Sequence, residues 1–297
     1  MSREGRNITS PASYSRWDGL LRFARVFLGR WPVVVGLVAM VILLIASAFA
    51  PILAPYDPYK QNLKSVLAKP STKHYLGTDS LGRDTASRLI YGARITLAVG
   101  IVAVGIGAAI GTVLGLLAGF FGGWTNRIIM RVVDALMAVP PLLFALVLAA
   151  LLGTGVKNVM IAVGMSLMPT FARLVCGQTL SVRENEYVLS LRTTGASSSR
   201  IMLLHVLPNC LSPVIVQTTL TIGGAILMEA SLSFLGLGIA PPAAAWGAMV
   251  FDGYRYLTTY PILSFAPGLA VMIVVFAFNM VGDGLRDALD PRLRGVL

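Results

Sequence analysis

The sequence predicts an all-α, polytopic membrane protein with six spanning helices, and two observations carry that expectation. Only 12% of the residues are charged, about half the ~25% of an ordinary soluble domain, while 56% are hydrophobic. Six runs are apolar over the roughly 20 residues needed to cross a ~30 Å hydrocarbon layer. They lie near 32–54, 93–120, 132–153, 158–179, 211–238 and 263–281. Together with their loops they make one transmembrane domain at 32–290, flanked by polar tails at 1–31 and 291–297.

The first run is expected to stay as a helix, with cleavage as a leader the competing account. "ASAFAP" (46–51) has small residues spaced as a signal peptidase prefers, but the polar segment before the run is long for a leader. The run also exceeds the usual ~7–15 residues, and Pro51 would follow the cut. The second run carries Gly107, Gly111, Gly115, Gly119 and Gly123, every fourth residue. That spacing puts them on one helix face, where another backbone can approach closely. In the third, Asp134 is expected to pair with nearby Arg131 at the membrane edge.

Between the fourth and fifth runs stands "SVRENEYVLSLRTTGASSSRIMLLHVLPN" (181–209), polar where its neighbours are apolar. Glu184 to Thr194 reads as a short helix with Tyr187, Val188 and Leu191 as a narrow apolar stripe. Gly195 suits a helix end that needs a left-handed backbone. Ser197 or Ser198 can cap a second helix carrying Ile201, Leu204 and Val206, which Pro208 interrupts before the next span. From residues alone this is a helical hairpin, either lying on lipid headgroups or plugging into a partner. Later, the loop 241–261 holds one Trp and three Tyr, placed by this reading at headgroup level or against a docking protein.

Orientation follows the placement of Lys and Arg. With the N-terminus inside, cytoplasmic segments hold 15 of the 24 basic residues, against nine outside. Both termini and 181–208 are then cytoplasmic, and 56–92 is external. The net charge of +11 is spread through all loops and tails, which argues for anchoring and against nucleic-acid binding. There is no GxxxxGK[ST] loop, and "GIGAAIG" (105–111) lacks the GxGxxG spacing, so no ATP site is expected in this chain. His74 and His205 fall on opposite sides, so no His-based triad or zinc site is expected. Cys176 and Cys210 lack CxxC spacing and read as core residues.

Gly195, nine residues, His205, one residue, then Leu207-Pro208 resembles the EAA loop of bacterial ABC-importer permeases. That pattern is Glu-Ala-Ala, three residues, Gly, nine residues, Ile, one residue, Leu-Pro. The chain departs from it at Leu189-Ser190-Leu191 and at His205. "LGTDSLGRDTASRLIYGARITLAVG" (76–100), "MRVVDALMAVPPLLFALVLA" (130–149) and "EASLSFLGLGIAPPAAAWGAMV" (229–250) resemble the C-type subunits of the dipeptide and oligopeptide branch.

The resemblance implies a type I importer permease that forms half of a peptide pore. Its partners would be a second permease chain, two cytoplasmic ATPases and an extracytoplasmic binding protein. ATP and Mg would sit on the ATPases, leaving this chain no enzyme and without cofactor or metal. The EAA-like segment 181–208 would be the coupling helix, with Leu189, Ser190, Leu191, Arg192, Gly195, Ala196, Arg200, His205, Leu207 and Pro208 as its working residues. Glu229 is a carboxylate in an apolar run, and by default functional. It is expected either to pack against Ser231, Ser233 or the partner chain, or to stand in or beside the translocation path. Glutathione and nickel chelates are the alternative cargoes. An ATP-independent ion or solute channel, or a subunit that only anchors a complex, are the alternative classes.

Overall fold

The computed structural model describes residues 23–289; the tail expected at 291–297 and most of that at 1–31 lie outside the described residues. Its main helices are α1 (Trp31–Ala48), α2 (Ala50–Leu53), α3 (Thr85–Phe121), α4 (Gly123–Met137), α5 (Pro141–Leu152), α6 (Val156–Arg183), α7 (Glu186–Thr193), α8 (Ser198–Ile201), α9 (Leu207–Phe234), α10 (Trp246–Tyr254) and α11 (Ile262–Leu289). The described residues contain no strand. Five helices are long and apolar enough to cross a membrane, or six if the bent pair α4 and α5 is one span.

α3 starts where Asp84 caps it, its Oδ2 accepting from the Ser87 amide at 2.8 Å and from Ser87 Oγ at 2.7 Å. It runs 37 residues and stops at Gly122, whose φ of +66° turns the chain out of the helix. Its glycine face packs on α6. A Cβ on Gly107 would come within 2.7 Å of Gly164 O, one on Gly111 within 2.6 Å of Met168 O, and one on Gly119 within 2.6 Å of Thr179 Cβ. Gly115 meets the α6 backbone as closely. Gly123 does not join this seam. It stands past the break at Gly122, with φ +48° and nothing within 4 Å of its would-be Cβ. The facing contribution, Gly164 on α6, is a close approach that a search for glycine runs along one helix does not find.

The stretch expected as one span at 132–153 is two helices bent by 91°. Pro140 and Pro141 cause the break: neither can donate a backbone bond, and a residue before proline avoids the helical region. Pro140 itself is extended, at ψ 133°. With 12 residues, α5 is about 18 Å long, too short to cross alone.

Pro208 does not interrupt the chain. Residues Met202–Val206 form a π turn, and the wider i→i+5 spacing accommodates the proline ring, so Ser198–Phe234 continues as one 37-residue helix. α11 packs against α9, and α1 against α11, where Gly36 meets Met280 Cβ and Gly284 meets Val33. α1 is the most peripheral span, with 11% of its window buried against 67% for α6.

At the end of the bundle away from 184–197, residues 54–84 fold over the start of α3. Asp79 lies between two buried arginines, with Arg83 Nε at 2.6 Å and Arg88 Nε at 3.5 Å, and it also accepts from the Leu81 and Arg83 amides. Asp252 on α10 faces the same pair, with Arg83 Nη2 at 3.9 Å. Burial pushes its carboxyl above the usual carboxylate range, opposed by Arg88 and Arg83. Removing one partner of such a group strands a buried charge, at about 3–5 kcal/mol. Asp79→Ala is therefore expected to lower the melting temperature of the purified complex by several degrees, while the exposed Lys64→Ala leaves it unchanged. Equal melting of the two variants would mean the network holds nothing.

Candidate functional site

The polar segment after α6 is built as two helices around Gly195. Asn185 is extended (ψ 142°) and α7 begins at Glu186. Its inner side carries Val188, fully buried, and Leu191, which packs on the same core cluster. The end of α7 satisfies its carbonyls in a paired pattern. The Ala196 amide donates to Leu191 O and the Gly195 amide to Arg192 O, each at 3.1 Å. This Schellman arrangement requires a left-handed residue at its centre, and Gly195 supplies it at φ +78°. Leu191 and Ala196 complete it by packing together on the core. Nothing lies within 4 Å of where a Cβ on Gly195 would be, so its glycine answers to the backbone and not to crowding within the chain.

Several ties fix the hairpin to the spans. Arg183 Nη1 donates to Gly119 O at 3.1 Å at the end of α3, and Arg192 lies 5.6 Å from the ring centre of Phe120. Asn209 Nδ2 bonds Tyr187 Oη at 3.2 Å and His205 O at 2.6 Å, joining α7 to the base of α9. The side chains left outward are Leu189, Ser190, Arg192, Arg200 and Pro208, with His205 and Leu207 half-buried. Of the second helix's expected apolar trio, Ile201 and Val206 are buried but Leu204 is 62% exposed, beside exposed Leu203. The π turn widens the helix there, shifting the 3.6-residue register on which the trio was placed. Exposed Leu189, Leu203 and Leu204 thus give the hairpin an apolar outer surface among polar groups.

Glu229 is fully enclosed within the chain. Ser233 Oγ donates to its Oε1 at 2.8 Å and accepts the Ile239 amide at 3.1 Å, whereas Ser231 turns back to Leu227 O. The Oε2 of Glu229 is buried without a hydrogen-bond partner among the described residues. Asp134 pairs with Arg173 on α6 and not with Arg131, because its neighbour across helices lies nearer than its neighbour along α4. Trp246 is turned into the protein and not outward from its surface. It is 1% exposed, seated on Gly92, with Nε1 donating to Leu89 O at 2.8 Å. Cys176 and Cys210 are both buried and unbridged, and the described residues hold no cluster of three metal-ligating side chains. Sequence reasoning missed the charged network around Asp79, although "TDSLGRDTASR" already showed two Asp and two Arg at short spacing ahead of a span.

A bundle of apolar spans zipped along a glycine seam, with a polar helical hairpin held outside it, defines a polytopic helical membrane protein. The chain belongs to the family of binding-protein-dependent transport system inner membrane components, whose model matches residues 111–295. The N-terminal TM domain of oligopeptide transport permease C matches residues 20–70. The chain is 41% identical to the dipeptide transport system permease protein DppC of Alkalihalophilus pseudofirmus, over 88% of this chain and 86% of that one. It is 46% identical to the glutathione transport system permease protein GsiD of Pectobacterium atrosepticum, over 92% and 91%. A chain of the MetNI methionine ABC transporter, solved in inward-facing conformations, shares the fold, with a TM-score of 0.55 at 19% identity. That match covers 68% of this chain and 96% of the other.

Proposed function

We propose that this chain forms half of the transmembrane passage of an ATP-driven importer of di- or oligopeptides, and that the hairpin at 184–208 couples it to a cytoplasmic ATPase. A second permease chain completes the passage, two ATPases carry ATP and Mg, and an external binding protein delivers cargo. The chain itself hydrolyses nothing, and both of its termini face the cytoplasm. The hairpin is the observation that carries this reading. Gly195 closes it rigidly while Leu189, Leu203 and Leu204 are left bare, an apolar surface suited to a groove on a soluble subunit. Glutathione remains the second cargo, favoured by the relatives named for it at 45–46% identity.

Leu204→Asp is expected to cut recovery of the co-expressed ATPase with the purified permease by on the order of tenfold or more, since a buried unpaired carboxylate at an interface costs several kcal/mol. Membrane abundance should not change, because the side chain is exposed within the chain. Full ATPase recovery with this variant would favour a hairpin resting on lipid. Uptake that continues without ATP or binding protein would favour a channel.

A further inference from the structure

Charged groups stand exposed on two helices that belong to candidate membrane spans, α6 and the first half of the bent pair. Asp134 on α4 and Arg173 on α6 form an ion pair, yet their side chains stay 51% and 52% exposed. Arg173 lies ten residues, about 15 Å, inside the end of α6 at Arg183. α4 follows α6 through this depth: Asn126 Nδ2 bonds Cys176 Sγ at 3.3 Å, and buried Val133 packs with Met168 and Ala172. α4 thus climbs from the level of Cys176 toward the middle of α6, carrying Arg127, Arg131 and Asp134 on its exposed side. Asp134 pairs with Arg173 alone, so among the described residues Arg127 and Arg131 have no carboxylate partner and this face carries a surplus of positive charge.

Such groups do not stand against hydrocarbon. An Arg or Asp at the centre of a span is costly on every insertion scale, and intramembrane charges face protein or water-filled cavities. The bend at Pro140–Pro141 points the same way, since broken helix backbone at membrane depth is tolerated where it is covered by protein or lines water.

We propose that this face of α4 and α6 lines the water-filled passage on the hairpin side of the membrane, where its surplus guanidinium charge holds the carboxylate of the cargo in transit. The proposal rests on the permease reading above and adds the wall and the cargo group. A peptide C-terminus and glutathione both carry a free carboxylate, for which a guanidinium is the matched partner.

The test uses the whole transporter in vesicles of both orientations, with Cys176→Ser and Cys210→Ser and a single Ala135→Cys, which is exposed on this face. Its reaction rates with an anionic (sulfonatoethyl) and a cationic (trimethylammonioethyl) methanethiosulfonate are each divided by the rate for a free thiol. The thiol should react, with the anionic reagent favoured on the order of tenfold. That preference should fall toward parity in Arg131→Gln and Arg173→Gln. A dipeptide with a free C-terminus should slow the anionic reagent, and its C-terminal amide should not. Ala138→Cys serves as the second site should Ala135→Cys fail to reach the membrane. No reaction at either site from either side, or no preference for the anionic reagent, overturns the proposal. Equal slowing by both peptides removes the carboxylate from it. ATP-driven dipeptide uptake by the cysteine-free parent reports separately on the permease reading.

Discussion

Gly195→Val abolishes ATP-driven uptake, while the protein still reaches the membrane at wild-type abundance: this is the result expected at the hairpin. Gly195 sits at φ +78° in the centre of a paired hydrogen-bond pattern between Ala196 and Leu191 and between Gly195 and Arg192. An ordinary residue in the left-handed region loses about 1–2 kcal/mol, and a β-branched one is a true outlier there. No neighbouring atom would obstruct the new side chain, so the penalty acts on backbone alone. The chain escapes it by opening the turn, which re-aims Leu203 and Leu204 relative to Leu189. No span is altered, so insertion survives. Gly195→Ala should fall between, because its Cβ is still penalised at positive φ but is unbranched. Native-substrate uptake, ATPase co-purification and membrane abundance of the three forms check it. Normal uptake and ATPase recovery in Gly195→Val would take the coupling role away from the hairpin.

Gly111→Leu should fail earlier, at assembly. A Cβ there would lie 2.6 Å from Met168 O and from Phe171 Cβ, and 2.9 Å from Ala172 N. Two of the three obstacles are α6 backbone atoms, which cannot rotate aside, so the helices must part along a seam that also seats Gly107, Gly115 and Gly119. Overpacking in a deformable core costs about 1–3 kcal/mol, and a rigid backbone seam should exceed that range. Recovery of intact complex by size-exclusion chromatography should drop severely. Gly105→Leu on the same helix, with nothing within 4 Å, and Val113→Leu, at an exposed position, should both be mild. Similar losses at all three positions would mean that the fourfold spacing is incidental.

How much was legible depends on whether the signal was local. The spans show in sequence because lipid imposes length and apolarity directly, and Gly195 shows because a left-handed helix end admits few residues. The four seam glycines were readable as a face, but their partner α6 was not. A close approach is specified by two helices, and the second contributes only Gly164. The bend at Pro140–Pro141 was written in the sequence and masked by an apolar count that ran straight through it. At Pro208 the error ran the other way, since a π turn just upstream absorbs what proline would otherwise break. The partners of Asp134 and Trp246 lie 39 and 157 residues away, a separation over which side-chain identity carries no pairing information.

Because that π turn keeps Ser198–Phe234 in one piece, the foot of the hairpin and the far end of α9 belong to a single rod about 55 Å long. Over such a length a tilt of about 5° at its foot sweeps the opposite tip by roughly 5 Å. That tip carries Ser233, whose Oγ donates to Glu229 and accepts the Ile239 amide in the turn leading to α10. On the coupling proposed for the hairpin, motion delivered at Arg200 would need no relay from contact to contact and would reach the far end of the rod as the stroke of a lever.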